Sequence, residues 1–452
     1  MPAAPSLLIV PYRSKTGRLY SQIPVPVAPA TTGAGDFTVT RNTEARRFNS
    51  AGLIESVASG IPRLDYYTSG GTAGCPALLV EPAATNLAPN ANLMNVLDTP
   101  TVSGGVTFTT GSTDFVAPDG TSATINKYVG GAASGATQNT RYGGTTIQAS
   151  ASGVHTFSVF VKRGATNPLD FCALGFSLFG SSSGTMTSYF NLASGTAITA
   201  GASIQNYGNG WYRLISAPVT LASADLSGTV SFNLASTSGS VSFATSGALN
   251  LTAYTWGAQF EAGSIATSYI PTTAGTGSRS ADVVSVSGAV SGSIGQTAGT
   301  IYCEFAFLGT PTTRSGPIFL RQADSRGMSI NFAPTDSPSG IRFSSRNNAG
   351  TTSLNIVSGA LQVGTFYKVA IAYDAAGTAA GGTQASGVVA YVNGSQVAIG
   401  TFQVPDAAGL TQFRMYGANS GSDTEAFNGR IRSAALYTTK LTDAELATLT
   451  TP

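Results

Sequence analysis

Residues 388–399 read Val388-Val389-Ala390-Tyr391-Val392-Asn393-Gly394-Ser395-Gln396-Val397-Ala398-Ile399, and this stretch decides the fold class. Two runs rich in β-branched residues flank an Asn-Gly pair. Asn-Gly suits a type I′ turn, because both central residues of that turn need a positive φ. The stretch therefore predicts a tight antiparallel hairpin and indicates a protein built from β-strands.

Short alternating runs of the same kind recur along the chain. In residues 300–307 and 366–373, large apolar residues occupy every second position, whereas helical periodicity is almost absent. The one convincing helix start lies near the end, where Thr442 and Glu445 have the spacing of a capping box. This pattern is typical of antiparallel β-sandwiches.

Composition excludes several classes of protein. The chain has 452 residues, of which 42% are hydrophobic and 10% charged, and its formal net charge is +2. So small a charge does not suit a nucleic-acid binder, which needs clustered Lys and Arg to displace counterions. No apolar run approaches the roughly 20 residues that span a bilayer. The apolar residues 7–10 have no basic flank before them, so we expect no secretory signal.

Few residues are available for catalysis or for binding a metal. The three cysteines, Cys75, Cys172 and Cys303, lie about a hundred residues apart, which favours buried, reduced thiols over a disulfide framework or a zinc site. The one histidine, His155, shares strand parity with Phe157, so we interpret it as structural. We predict no catalytic residues, no metal and no cofactor.

Changes in composition divide the chain into four segments. Residues 1–90 contain clustered arginines and the proline-spaced stretch Ile23–Pro29, which cannot form a central strand because proline lacks the N–H of a ladder. We interpret this segment as an extended arm lying on another surface, with a flexible tail as the alternative. Residues 91–275 are predicted to form a first sandwich, 276–298 a Gly/Ser linker and 299–452 a second sandwich.

Aromatic residues are the candidates for contact with a sugar. Both tryptophans lie in the predicted first sandwich, where an aromatic side chain serves either as a core anchor or as a stacking platform. Trp211, Tyr212 and Tyr416 are the predicted glycan-binding residues, on an end of a sandwich that carries loops.

A basic cluster in the N-terminal segment has two interpretations. Arg41, Arg46 and Arg47 are either solvated or paired locally with Glu44 and Glu55, as surface charges often are. Alternatively they dock the arm on a neighbouring subunit, where the planar guanidinium suits bidentate pairing with carboxylates.

Several separated motifs follow one another between residues 41 and 285. They are Arg41-Asn42-Thr43-Glu44-Ala45-Arg46-Arg47-Phe48-Asn49, Gly52-Leu53-Ile54-Glu55, Pro62-Arg63-Leu64-Asp65-Tyr66, Cys75-Pro76-Ala77-Leu78-Leu79-Val80-Glu81-Pro82, Thr85-Asn86-Leu87, Phe157-Ser158-Val159-Phe160-Val161-Lys162, Gly210-Trp211-Tyr212-Arg213, Trp256-Gly257-Ala258-Gln259-Phe260-Glu261-Ala262-Gly263 and Ala266-Thr267-Ser268-Tyr269-Ile270-Pro271-Thr272. In this order they resemble a segment of bacteriophage virion proteins, chiefly fibre and other appendage proteins. There the segment precedes a jelly roll similar to carbohydrate-binding modules.

Residues 299–452 resemble a laminin-G or concanavalin A-like domain. The motifs are Tyr391-Val392-Asn393-Gly394, Phe427-Asn428-Gly429-Arg430-Ile431, Leu436-Tyr437 and Leu441-Thr442-Asp443-Ala444-Glu445-Leu446. Together the two resemblances imply an all-β chain with an extended N-terminal arm, then a jelly roll, then a concanavalin A-like sandwich.

The resemblances imply a structural protein of the virion surface, as a head fibre, a decoration protein or a tail fibre. It would attach to capsid or tail proteins through its N-terminal arm and form a homotrimer, as such fibres usually do, with cell-surface glycans as a further partner. The alternatives are a dedicated glycan-binding receptor adhesin and a polysaccharide depolymerase. Concanavalin A-like glucanases carry a Glu-x-Asp-x-x-Glu pattern that this sequence lacks, and Glu304 stands alone on its strand, so we predict no enzyme.

Overall fold

The structure is a computed structural model of the 452-residue chain. It describes residues 4–15, 18–22, 37–68, 73–89, 106–122, 124–130, 139–149, 152–177, 186–222, 226–241, 250–273, 275–287, 291–311, 314–322, 326–333, 339–358, 362–375, 387–400, 409–416 and 427–452.

Eight strands lie in the described part of the first ninety residues. They are β1 (Leu7–Lys15), β2 (Arg18–Gln22), β3 (Thr38–Thr40), β4 (Ala45–Phe48), β5 (Ile54–Val57), β6 (Arg63–Asp65), β7 (Ala77–Val80) and β8 (Ala84–Asn86). Twelve strands follow among the residues that the structure describes in the next segment. They are β9 (Thr107–Ser112), β10 (Ile125–Val129), β11 (Asn139–Gln148), β12 (Gly153–Arg163), β13 (Phe171–Ser177), β14 (Met186–Asn191), β15 (Thr196–Ala197), β16 (Ser203–Asn206), β17 (Trp211–Ile215), β18 (Val219–Leu221), β19 (Ser227–Ala235) and β20 (Thr252–Ala262).

The remaining strands and the helix complete the chain. They are β21 (Gly277–Arg279), β22 (Val283–Ser287), β23 (Ala298–Phe307), β24 (Ser315–Arg321), β25 (Gly327–Ala333), β26 (Gly340–Asn347), β27 (Gly350–Ser358), β28 (Tyr367–Asp374), β29 (Val388–Val392), β30 (Ser395–Gly400), β31 (Gln412–Tyr416), β32 (Gly429–Tyr437) and α1 (Asp443–Thr450), with a 3₁₀ turn at Ser291–Ser293. Among the described residues, no helix combines the length and the hydropathy needed to cross a membrane.

Two antiparallel sandwiches account for most of the strands, so the predicted all-β class is confirmed. The C-terminal sandwich consists of a nine-stranded sheet, in the order β2-β1-β32-β23-β28-β29-β30 with β7 on β32 and β6 on β7, and a seven-stranded sheet, β27-β26-β25-β24-β31-β22-β3. The inserted sandwich consists of a seven-stranded sheet, β16-β17-β12-β20-β10-β9 with β18 on β12, and a five-stranded sheet, β11-β19-β13-β14-β15. Two short pairs, β4-β5 and β8-β21, lie apart from these sheets.

The N-terminal segment lies on a surface of its own chain. Strand β1 pairs with β32, with Leu7 opposite Leu436, and β3 pairs with β22, so both sheets of the C-terminal sandwich gain a strand. Leu7 and Ile9 are fully buried in its core. Burial of these apolar side chains is what holds an extended segment in place. The predicted arm is thus part of the C-terminal sandwich, whereas Ile23–Pro29 falls outside the described residues.

One sandwich is therefore inserted into the other. The chain builds strands of the C-terminal sandwich before β8, forms the inserted sandwich, and returns to the first at β22. The segment predicted as a linker, 276–298, contains β21 and β22 instead. Val284 and Val286 are buried in the core of the C-terminal sandwich, and their strand pairs with β31 on one side and with β3 on the other.

Two local predictions from the sequence are confirmed. Asn393 and Gly394 have φ values of 47° and 84°, so both adopt the conformation that the β29-β30 turn requires. Thr442 caps α1, and the Glu445 side chain accepts the backbone N–H of Thr442 at 2.9 Å. Leu446 of this helix packs on the outer face of the nine-stranded sheet.

We predict that the first strand stabilises the C-terminal sandwich. Ile9→Ala should lower the free energy of unfolding by about 2–5 kcal/mol, because it removes a fully buried side chain from a packed core. Val397→Ala, on the half-exposed edge strand β30, is the matched control and should cost no more than about 0.5 kcal/mol. Urea unfolding measures the free energy of unfolding of both variants. Equal losses would contradict the burial of β1 in the core of the C-terminal sandwich.

Candidate functional site at the junction of the two sandwiches

A network of buried charges occupies the junction. Arg63 donates from Nη1 to Glu81 Oε2 at 2.6 Å and from Nη2 to Asp282 Oδ2. Arg279 Nη1 donates to the same oxygen of Glu81 at 2.6 Å, and Arg41 Nη1 donates to Asp282 Oδ1 at 2.9 Å. All five side chains are at most 2% exposed. Two carboxylates therefore hold three guanidinium groups in the interior.

The partners in this network come from segments far apart in sequence. Arg63 and Glu81 precede the inserted sandwich, Asp282 follows it, and Ser268 lies where the chain leaves it. Ser268 donates its backbone N–H to Glu81 Oε1 at 2.7 Å and its hydroxyl to Oε2 at 2.6 Å. Backbone carbonyls accept further guanidinium protons, as at Ala58, 2.6 Å from Arg41 Nη2. The Nε–H groups of Arg63 and Arg279 have no partner among the described residues. The network thus fixes the points where the chain crosses between the sandwiches.

The pKa values of two buried carboxyl groups, Glu81 and Glu261, shift in opposite directions. Burial alone would raise the pKa of Glu81, but the positive charges of Arg279 and Arg63 outweigh it and hold that pKa well below its usual value. Burial raises the pKa of Glu261, and attraction to Arg213 only partly offsets it. Glu81 is consequently ionised throughout the ordinary pH range.

A narrow crevice lies beside this network, between the β4-β5 hairpin and both sandwiches. Its wall includes Asp65, Tyr207 and Arg430. Arg430 donates from Nε to Asp65 Oδ2 at 2.6 Å, and its guanidinium lies 4.9 Å from the centre of the Tyr67 ring. The crevice holds about 40 Å³, whereas ligand pockets span roughly 300–1,000 Å³. Its side chains fill it by contacting one another, so it is part of the junction's packing.

A larger pocket shares Arg46, Ile54 and Tyr269 with this crevice, and we call it the hairpin pocket. It has a volume of about 330 Å³. Its lining combines three charged side chains, three hydroxyl groups and apolar side chains, namely Arg46, Ile54, Glu55, Ser56, Asp119, Thr121, Trp256, Tyr269 and Pro271. Both the hairpin and the inserted sandwich contribute walls, joined by a hydrogen bond of 2.9 Å from Ile54 N–H to the carbonyl of Pro118.

Two buried aromatic residues line the hairpin pocket. The rings of Trp256 and Tyr269 lie 4.5 Å apart between centroids. Gly257 has a φ of 61°, and a Cβ there would lie 3.1 Å from Cε2 of Tyr269, so glycine allows this close packing. Among the described residues, neither Trp256 Nε1 nor Tyr269 Oη has a hydrogen-bond partner. A buried polar group without a partner costs roughly 1–3 kcal/mol.

The predicted glycan-binding residues are spread over both sandwiches. Trp211 is buried, and its Nε1 donates to the carbonyl of Val116 at 2.9 Å, so it is a core anchor in place of an exposed stacking platform. Tyr212 is partly buried in the inserted sandwich. Tyr416 lies in the C-terminal sandwich, opposite Val283, and its side chain falls outside the described part of the structure. The structure does not bring these three residues together.

The three arginines predicted to dock on a neighbouring subunit occupy different environments. Arg41 is buried in the charge network and is not available to a partner, because Asp282 and four backbone carbonyls surround it. Arg46 pairs with Glu44 at 3.0 Å and Arg47 with Glu55 at 2.6 Å, which is the local pairing that the sequence left open. These two side chains keep about a quarter of their surface exposed.

The histidine, the cysteines and Glu304, which the sequence analysis discussed, differ in their burial and contacts. His155 is buried and stacks on Phe260 with centroids 5.2 Å apart, and burial lowers its pKa. Cys172 and Cys303 are buried thiols, but Cys75 is exposed, so the prediction of three buried thiols is wrong at that position. Glu304 accepts a bond of 3.2 Å from Arg432.

Sequence reasoning did not single out the residues that the structure places at the junction. Glu81, Ser268 and Tyr269 lie within the motifs quoted above, but spacing alone does not show that they meet. Asp119 precedes a glycine in a turn, where an aspartate needs no ligand to account for it. Only proximity in the folded chain distinguishes these residues from their neighbours.

The two sheets built around β23 and β31 are also recognisable in sequence. Residues 281–447 match the family model of the concanavalin A-like lectin/glucanases superfamily. The C-terminal sandwich is a concanavalin A-like domain. The match begins just before β22, so the strands β1, β3, β6 and β7 lie outside it and extend the domain. No curated protein matches the chain in sequence.

Solved structures resemble parts of the chain only distantly. Domain 4 of AbnA, a GH43 extracellular arabinanase from Geobacillus stearothermophilus, is 17% identical and aligns over 38% of this chain and 73% of its own, with a TM-score of 0.28. The CBM40 of the Ruminococcus gnavus IT-sialidase is 16% identical over 35% and 85%, with a TM-score of 0.28. Botulinum neurotoxin type C is 12% identical over 38% and 39%, also at 0.28. Scores this low carry no information about function.

We predict that the charge network makes the fold sensitive to acid through Glu81. Its pKa is lower in the folded than in the unfolded chain, where the usual value is 4.5, so its contribution is complete above about pH 4.5 and is lost as the pH falls further. Glu81→Gln should lower the free energy of unfolding by about 3–5 kcal/mol at pH 7, because it leaves buried guanidinium groups without their full countercharge.

Urea unfolding between pH 3 and 8 measures this effect, with Glu44→Gln as the control. The control removes an exposed ion pair and should change stability by no more than about 1 kcal/mol. The difference between wild type and Glu81→Gln should shrink below pH 4.5. Glu261, whose raised pKa acts in the opposite direction, titrates in both proteins and cancels. A difference that is independent of pH would show that the charge of Glu81 is not what matters.

Proposed function

We propose that this chain is a non-enzymatic structural protein of a bacteriophage virion surface that displays lectin-like sandwiches and binds glycans. One observation carries the proposal. The motifs that resemble phage appendage proteins begin at residue 41, and two strands within them, β6 and β7, belong to the nine-stranded sheet of the concanavalin A-like domain, so the two parts form a single folded unit. A protein combining both parts suits display on a particle.

The rigid junction also supports a role in display. Ion pairs among Glu81, Asp282 and their arginines are shielded from solvent and therefore little affected by external salt. A protein exposed on a particle benefits from sandwiches that keep a fixed relative position. We propose that the N-terminal region attaches to capsid or tail proteins through β2, the terminal strand in the described order of the nine-stranded sheet, and that three copies assemble.

Labelling of intact virions tests the location. Gold-tagged antibody against residues 299–452 should decorate particles of the phage that encodes this chain. Label over the head would support a head fibre or decoration protein, and label confined to the tail tip would favour the receptor adhesin. Virions without any label would contradict the proposal.

Assembly and enzymatic activity are tested on the purified protein. Light scattering should give three times the chain mass of 45.7 kDa, and a monomer at micromolar concentration would contradict the trimer. Incubation with capsular polysaccharide should release no reducing ends, whereas measurable release would favour the depolymerase.

A further inference from the structure

We propose that the outer face of the seven-stranded sheet in the C-terminal sandwich binds a polysaccharide that carries carboxylate or phosphate groups, through Arg342, Arg346 and Arg414. We call these three residues and the surface between them the arginine face. The inference rests on the glycan binding proposed above and assigns that binding to a surface and to a class of ligand. Tyr416, predicted from the sequence to contact a glycan, lies two positions after Arg414 on the same strand.

The strands of this sheet carry positive charges and no negative ones. Its seven strands, β3, β22, β24, β25, β26, β27 and β31, contain the four arginines Arg321, Arg342, Arg346 and Arg414, and no Lys, Asp or Glu. The whole chain has 23 basic and 21 acidic residues. The net charge of the chain therefore hides a local excess of positive charge on one sheet.

Alternation along the strands places three of these arginines on the outer face. Phe343 and Phe413 are buried in the core of the C-terminal sandwich. Their neighbours Arg342 and Arg414 lie on the opposite face, because successive side chains of a strand alternate between the two faces of a sheet. Arg346 lies four residues after Arg342 on β26 and shares its face. Arg346 is exposed, and Arg342 and Arg414 are partly exposed, so all three present surface to solvent.

The register of the strands fixes the spacing of the arginine face. Arg414 is level with Ser344, three strands away across β24 and β25. Ser344 lies midway between Arg342 and Arg346 on β26. Strands about 4.8 Å apart and a rise of about 3.4 Å per residue separate the three backbone positions by roughly 14–16 Å. This spacing suits a polymer with an acidic group on repeated units better than one small anion, on which all three side chains would have to converge.

The chemistry of arginine favours carboxylate and phosphate groups. A guanidinium has five N–H donors in a planar fork and can donate two parallel hydrogen bonds to either group. An arginine that already bonds within its own chain keeps donors for a ligand, so the site does not require any of the three to lack a partner. A guanidinium is also more weakly hydrated than an ammonium group, which lowers the cost of removing water when a ligand binds.

The surface beneath the arginines is closely packed and polar. Asn331 donates from Nδ2 to Ser329 Oγ at 2.8 Å and to Ser344 Oγ at 3.1 Å, and all three residues are at most 7% exposed. These residues hold the strands together and do not contact a ligand. On the neighbouring strand β27, Asn355 is exposed and lies opposite Arg342, where its amide can bond to sugar hydroxyl groups.

Substitutions on the two sheets separate this surface from the rest of the protein. Arg346→Gln removes an exposed charge and should weaken binding by about threefold to fivefold, the range of a single exposed ion pair. The double variant Arg346→Gln/Arg414→Gln should weaken binding by about tenfold or more. Arg432→Gln, on the nine-stranded sheet, is the matched control, because 39% of the Arg432 side chain is exposed, and it should bind as wild type does.

Biolayer interferometry of the full-length protein on immobilised polymers provides the measurement. The probes are polygalacturonate, which carries carboxylates, and a phosphomannan, which carries phosphates. Dextran is the neutral comparison, and poly-glutamate is the acidic comparison without sugar. The melting temperature of each variant shows whether it is folded, and Arg346→Gln, at an exposed position, provides the test even if the double variant does not fold.

The expected result is that at least one acidic polysaccharide binds, at least tenfold tighter than dextran or poly-glutamate, and that both arginine-face variants weaken this binding. Binding should also weaken as NaCl rises from about 50 to about 300 mM, because salt screens exposed charges. Binding of only one of the two acidic polysaccharides would support the inference and identify the acidic group that the face prefers.

Four outcomes would overturn the inference. If an acidic polysaccharide binds but the variants retain full affinity, the site lies elsewhere and the proposed function survives. If only dextran or another neutral glycan binds, the assigned class is wrong and glycan binding again survives. If poly-glutamate binds as tightly as the polysaccharides, the face recognises acidic protein surfaces and the assignment to a polysaccharide is wrong. If no polysaccharide binds and an array of bacterial surface polysaccharides also gives no signal, both this inference and the glycan-binding part of the proposed function fail.

Discussion

The burial of five charged side chains at one point constrains the rest of this structure. Removing a charge from water is costly unless an opposite charge and hydrogen bonds replace the solvent. Here Glu81 and Asp282 can be buried only when Arg63 lies between them, and Arg41 and Arg279 complete the set. No segment supplies both a cation and all of its partners, so the segments must assemble together.

This requirement explains why an inserted domain can sit in a fixed place. The chain crosses between the sandwiches near Glu81 on the way out and near Asp282 on the way back, and the network joins the two crossings. Ser268, at the end of the inserted sandwich, bonds to the same carboxylate. The β4-β5 hairpin is consequently held against the inserted sandwich, and the hairpin pocket forms where their walls meet.

Local features could be read from the sequence because their causes are local. The Asn393-Gly394 turn follows from the backbone conformation that these residues tolerate, and the capping box at Thr442 from a spacing of three residues. The structure of segment 276–298 did not follow from its composition. Its many small residues suggest a linker, whereas two valines alternating with serine form a central strand once β31 and β3 flank them.

The sequence by itself determined the fold class, since alternating apolar residues can bury one face only as strands of a sheet. It also determined the concanavalin A-like domain, whose strands after β22 are contiguous in the chain. Only the tertiary structure decided that the N-terminal strands complete this domain, that Arg41 and Trp211 are buried, and that Tyr269 faces a pocket with Asp119. The physical reason is that each of these features depends on contacts between residues that lie tens or hundreds of positions apart in the chain. Neither spacing nor composition shows which of the possible partners meet.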